Sequence, residues 1–135
     1  MKKHLVAGLI AAVALLVFAF LALFLMPTVF PGVAEEYFGP GFRMGGTFAV
    51  FYYAQAVVVA FALAWFWNRF KSHFSGNKIM RGIELGLVYG LVAILPAMLI
   101  NYSILSVSAT MVGLWLFYGI CQGIIAGIIF AIIDP

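Results

Sequence analysis

Glu84, in the stretch RGIELGLVYG (81–90), is the residue placed most suggestively for chemistry, a carboxylate among glycines and aliphatic side chains. Deep in a membrane a carboxylate carries protons or cations; near the surface it anchors a helix at the headgroup layer. Glu84 lies one or two turns into an apolar segment, three residues after Arg81 and six after Lys78. That spacing reads as an interfacial carboxylate paired with one of those bases near a helix N-terminus. A proton or cation site is the alternative.

Gln55 and Gln122 lie closer to the middle of their segments. A buried glutamine in a membrane bonds a neighbouring helix, for a gain of roughly 0.6–2 kcal/mol. Tyr52, Tyr53 and Tyr118 stand near them in sequence, so the same residues can be read as ligands of a polar substrate or ion.

Glu35, Glu36 and Arg43 form a third group. Adjacent helical residues project about 100° apart, so the two carboxylates do not share one target. With Arg43 they make either a solvated rim or the one place where an outer enzymatic site can be assembled.

Other constellations are missing from the sequence. His4 and His73 flank apolar segments rather than facing each other inside them, which leaves intramembrane bis-His haem ligation unsupported. The single Asp, Asp134, stands at the end of the chain, so no Ser-His-Asp set is in view. No phosphate-cradling loop or metal-ligand cluster is recognisable. The lone cysteine, Cys121, excludes an intrachain disulfide. The expectation is a non-enzymatic protein with no catalytic, cofactor-binding or metal site.

The elements that must position these residues are membrane spans. Of the 135 residues, 67% are apolar and 8% charged, too few for the charged shell of a soluble fold. Four apolar segments, about 5–26, 47–67, 79–100 and 107–133, are each long enough to cross a bilayer. None alternates as a membrane barrel strand would. The fold class that follows is all-α, an integral-membrane four-helix bundle forming a single transmembrane domain over 1–135. The first run, although preceded by Lys2 and Lys3, is longer than a signal-peptide core and reads as a span.

The formal charge of +3 does not imply a nucleic-acid partner, because the basic residues sit at helix ends. Lys2, Lys3, Arg69, Lys71, Lys78 and Arg81 fall on one side of the predicted spans and only Arg43 on the other. The positive-inside rule then places both termini in the cytoplasm, most simply across a bacterial inner membrane. Trp65 and Trp67 read as an aromatic belt at that surface. The segment PTVFPGVAEEYFGPGFRMGG (27–46) between the first two spans reads as a folded outer loop, with a turn of helix at VAEEYF.

Two patterns concern packing. Gly82, Gly86 and Gly90 are spaced by four, as are Gly119, Gly123 and Gly127. Four residues advance a helix by about 400°, so each trio forms one stripe that lets another backbone approach. The two stripes are expected to face each other within one subunit; turned outward, either makes a homo-oligomer interface. Pro96 predicts a kink in the third span. In addition, LVAGLIAA (5–12) resembles LVYGLVAI (87–94), and FYYAQAVV (51–58) resembles FYGICQGII (117–125). If the halves are duplicates, Gln55 and Gln122 are equivalent and meet near the axis relating them.

Together these readings describe an accessory, scaffold or lipid-binding subunit that acts through helix packing. Its partners are the lipid bilayer and either a second copy or a larger membrane protein. The alternative is a small oligomeric transporter or channel with a polar path near Gln55, Gln122 and Glu84.

Overall fold

The computed structural model describes residues 2–37 and 49–135. All regular structure among them is helical: α1 (Lys2–Val29), α2 (Pro31–Glu36), α3 (Ala49–Phe70), α4 (Lys78–Tyr89), α5 (Leu95–Ile104) and α6 (Ala109–Ile133). A short tight turn, Lys71–His73, prolongs α3, and a π-helical stretch, Gly90–Ile94, joins α4 to α5 without a break. Four helices are therefore long and apolar enough to cross a membrane: Lys2–Val29, Ala49–His73, Lys78–Ile104 and Ala109–Ile133. This is a membrane protein. A helix satisfies its own backbone polar groups, which lipid cannot do.

The first helix outruns its expected end. Pro27 lies inside α1 instead of stopping it. Pro27 cannot donate to the carbonyl of Leu23, yet the helix runs on to Val29. Pro31 then opens α2 at a position where its missing N–H is not needed. The helical turn expected at VAEEYF falls slightly earlier, at Pro31–Glu36. Arg43 and the rest of 38–48 lie outside the described residues.

Two antiparallel pairs build the bundle. In the first, α1 lays Ala7, Gly8, Ala11, Ala12, Leu15 and Ala19 against the buried Ala56, Ala60, Leu63 and Ala64 of α3. These residues recur at helical spacing and are mostly small, so the two backbones approach closely. A Cβ on Gly8 would lie 2.9 Å from the Phe61 ring and 3.2 Å from Ala64 Cβ. In the second pair α4 packs along α6. The last helix also touches α1 and α3, so it joins the two pairs. The matching contact, α4 on α3, is not comparably developed, and the packing departs from a two-fold relation between the halves.

Pro96 comes with a change of hydrogen-bond register in the turn before it. It cannot donate to the carbonyl of Val92, and just before it the Leu95 N–H bonds Gly90 O, five residues back. One wider turn thus absorbs the missing donor. The helix starts follow ordinary rules: Asn77 Oδ1 accepts from the Met80 N–H at 2.8 Å, and Ser108 Oγ accepts from the Met111 N–H at 3.1 Å. Gly76, with φ +101°, makes the left-handed turn into the Asn77 cap.

Candidate functional site

The two glycine series lie against each other. A Cβ on Gly127 would stand 2.8 Å from Gly82 Cα, and one on Gly123 would stand 2.8 Å from Gly86 Cα. A Cβ on Gly86 would come within 2.7 Å of the Ile124 backbone nitrogen. Gly90 and Gly119 instead meet the side chains of Ile120 and Ile94. The backbones are therefore closest between Gly82 and Gly86 and separate towards the π-helical stretch. The close approach accommodates isoleucines from one helix over the bare backbone of the other, with contact along the whole seam.

Gln55 and Gln122 also meet, in the interior of the bundle. Gln122 is buried, and its Nε2 donates to Gln55 Oε1 at 3.4 Å, a long bond. Tyr52 on α3 donates its hydroxyl to the carbonyl of Ala19 on α1 at 2.8 Å. The Tyr118 ring stacks on Phe18 at 5.0 Å between centroids, and its hydroxyl is buried beside Tyr52, Gln55 and Gln122 without a well-aligned hydrogen bond. Tyr89, which the sequence reading passed over, lays its ring on Gly123 across the α4–α6 seam.

Glu84 belongs elsewhere. Its Oε2 accepts from the Ser75 N–H at 3.4 Å, so it reaches back to the loop before its own helix. Arg81, its expected partner, is committed otherwise: Nη2 donates to Lys71 O at 2.9 Å and the guanidinium lies 4.7 Å over the Trp67 ring. The same end of the bundle holds a closed set of contacts around Trp67. Its indole N–H donates to Asp134 O at 2.7 Å, and Lys71 Nζ pairs with Asp134 Oδ1 at 2.7 Å. Phe74 stacks on the indole at 5.4 Å, and Phe130 packs beside it. Trp67 is thus a core residue, whereas the sequence placed it in an outward aromatic belt.

No family model matches the chain, and neither a curated protein nor a solved structure matches it.

At the opposite end, Glu36 Oε2 accepts from the Ser108 N–H at 3.2 Å. A carboxylate at the start of α6 offsets an orphan donor and the positive end of the helix dipole. Glu35 is exposed beside it. Tyr37 accepts a short hydrogen bond from the Trp115 indole. Burial pushes the Tyr37 hydroxyl above the ordinary tyrosine range; the Trp115 bond lowers it again in part and the Glu36 charge raises it.

The residues singled out by type thus fall into three separate places. Gln55 and Gln122 share the interior, Glu84 sits beside the basic loop, and Glu35 and Glu36 lie on α2 at the far end. Among the described residues no group of three His, Cys, Asp or Glu side chains is arranged to hold a metal ion. The contacts of Trp67 and Lys71 with Asp134 are not legible in the sequence because they cross more than 60 residues. The one local signal was a tryptophan two positions from another, which places the two on opposite sides of a helix.

Proposed function

We propose that this chain is a non-enzymatic accessory or scaffold subunit that works by packing within the membrane. The observation supporting it is the close seam at Gly82–Gly127 and Gly86–Gly123. With both small-residue stripes turned inward, the lipid-facing surface consists of large apolar side chains such as Leu9, Phe24, Val58, Leu91 and Phe117. That surface suits contact with lipid or with an apolar face of a larger membrane protein. We further read both termini and the loop at 71–77 as cytoplasmic, in a bacterial inner membrane, with α2 and the outer loop at the other face. The gathering of Lys2, Lys3, Arg69, Lys71, Lys78 and Arg81 at one end supports this orientation.

A second reading, a small oligomeric transporter or channel, is favoured by one observation, the poorly satisfied Tyr118 hydroxyl beside Gln55 and Gln122. A path for a polar solute needs such groups. Native mass spectrometry of the full chain released from lipid nanodiscs separates the two. The accessory reading expects single copies carrying lipid alone. A defined ring, or a retained non-lipid solute lost on Gln122→Leu, moves the conclusion to the transporter.

A further inference from the structure

Trp65 and Trp67 are two residues apart on α3 and face opposite ways. Trp67 is 1% exposed and closes the core, while Trp65 is 55% exposed. Arg69, one turn further on, holds its guanidinium 4.9 Å from the centre of the Trp65 ring. Both therefore stand on the side of α3 turned away from the bundle. The neighbouring α1 runs antiparallel with Gly8 against Phe61 and Ala64, which brings its first turn, with exposed Lys2 and Lys3, level with Arg69. Among the described residues no carboxylate pairs with these three cations, since Asp134 is held by Lys71 and Glu84 turns to Ser75.

We propose that this edge, made of Trp65, Arg69, Lys2 and Lys3, binds the phosphate headgroup of an anionic phospholipid. An exposed indole settles at headgroup depth, where its ring is in the apolar layer and its N–H in the wet one. The guanidinium, with its carbon 4.9 Å from the centre of that ring, carries N–H groups suited to two parallel bonds to a phosphate. The two lysines add local positive charge at the same level. The half-exposed tryptophan favours a bilayer lipid over a soluble acidic partner, because a soluble ligand leaves the indole unused. The inference requires only that the chain is embedded in a membrane, and not the accessory role.

The test uses the full chain in nanodiscs of phosphatidylcholine and phosphatidylglycerol in equal amounts, with retained lipids counted by class after release into the mass spectrometer. Phosphatidylglycerol is expected to be enriched on the wild type, and Arg69→Gln is expected to lower that enrichment about fivefold, the contribution of one juxtamembrane basic residue. Lys78→Gln removes the same charge from the other helix pair and is expected to lower the enrichment clearly less than Arg69→Gln. Trp65→Leu, which keeps every charge, is expected to lower it and serves in place of Arg69→Gln if that variant inserts poorly. Bulk lipid ratios on the wild type, undiminished enrichment in both the Arg69 and Trp65 variants, or an equal loss in Lys78→Gln would each overturn the site.

Discussion

Trp67 and Asp134, separated by 67 positions, are joined by a 2.7 Å hydrogen bond from the indole N–H to the backbone carbonyl. The bond fixes the end of α6 to the end of α3, and Lys71 reinforces it through the Asp134 carboxylate. One buried aromatic residue thereby ties the last helix to the first pair at the basic end of the bundle.

Removing the cation is expected to hurt more than neutralising the acid. Lys71→Met leaves the Asp134 carboxylate, 8% exposed, without its partner, whereas Asp134→Asn keeps an acceptor for Lys71 and the backbone bond to Trp67. A lost hydrogen bond to a charged group costs about 1.5–3 kcal/mol, and the partial exposure of Lys71 puts its loss at the lower end. Thermal unfolding of both variants in one detergent should place Lys71→Met below Asp134→Asn; the reverse order contradicts the geometry.

Alanine is expected to be costly at Gly127 and harmless at Gly113. At Gly127 the added carbon meets Gly82 Cα at 2.8 Å and Gly82 O at 2.9 Å, backbone that cannot step aside; at Gly113 nothing lies within 4 Å. Overpacking costs about 1–3 kcal/mol, while Gly→Ala in an open helix position gains up to about 1 kcal/mol. Denaturation midpoints of the two variants should move in opposite directions.

The glutamine pair should be weakly coupled. At 3.4 Å, the Gln122–Gln55 bond belongs near the low end of interhelical bonds, about 0.6 kcal/mol. A double-mutant cycle with Gln55→Leu and Gln122→Leu measures this directly. A coupling several times larger means that a third group, with the Tyr118 hydroxyl as the nearest candidate, completes a stronger network.

Glu36→Ala is expected to cost about 1 kcal/mol through loss of the N-terminal contact to α6, and Glu35→Ala close to nothing. Equal effects of the two, measured by urea unfolding, would point to a shared outer site rather than a cap.

Glu84→Gln leaves an acceptor for the Ser75 N–H and is expected to change stability by less than about 0.5 kcal/mol. It is likewise expected to leave any proton flux in proteoliposomes at the wild-type level. Abolished flux would give Glu84 a transport role that its position beside the basic loop does not suggest.

Sequence periodicity and hydropathy reach local features well. The four spans are legible because lipid demands long uninterrupted apolar helices, and the glycine spacing is legible because both series lie within single helices. Gln55 and Gln122 do meet, as the duplication reading expects, although the packing around them departs from a two-fold relation. What the sequence conceals is long-range or geometric. Trp67 reads like Trp65 until α6 is placed behind it, and Glu36 reads like Glu35 until Ser108 arrives from 72 residues away. Pro96 announces a missing donor, but not the wider turn at Gly90–Ile94 that accompanies it.

The central position of α6 has a consequence for biosynthesis. As the chain emerges, α1 and α3 can settle against each other at once, because each finds its packing face in the other. The helix that follows finds little there: apart from the contacts of Arg81 and Glu84 with the preceding loop, α4 packs on α6, which has not yet been made. Gly82, Gly86 and Gly90 must therefore enter the bilayer bare and wait for the final span. An arrest of translation before Ala109 would leave that half-built surface facing lipid.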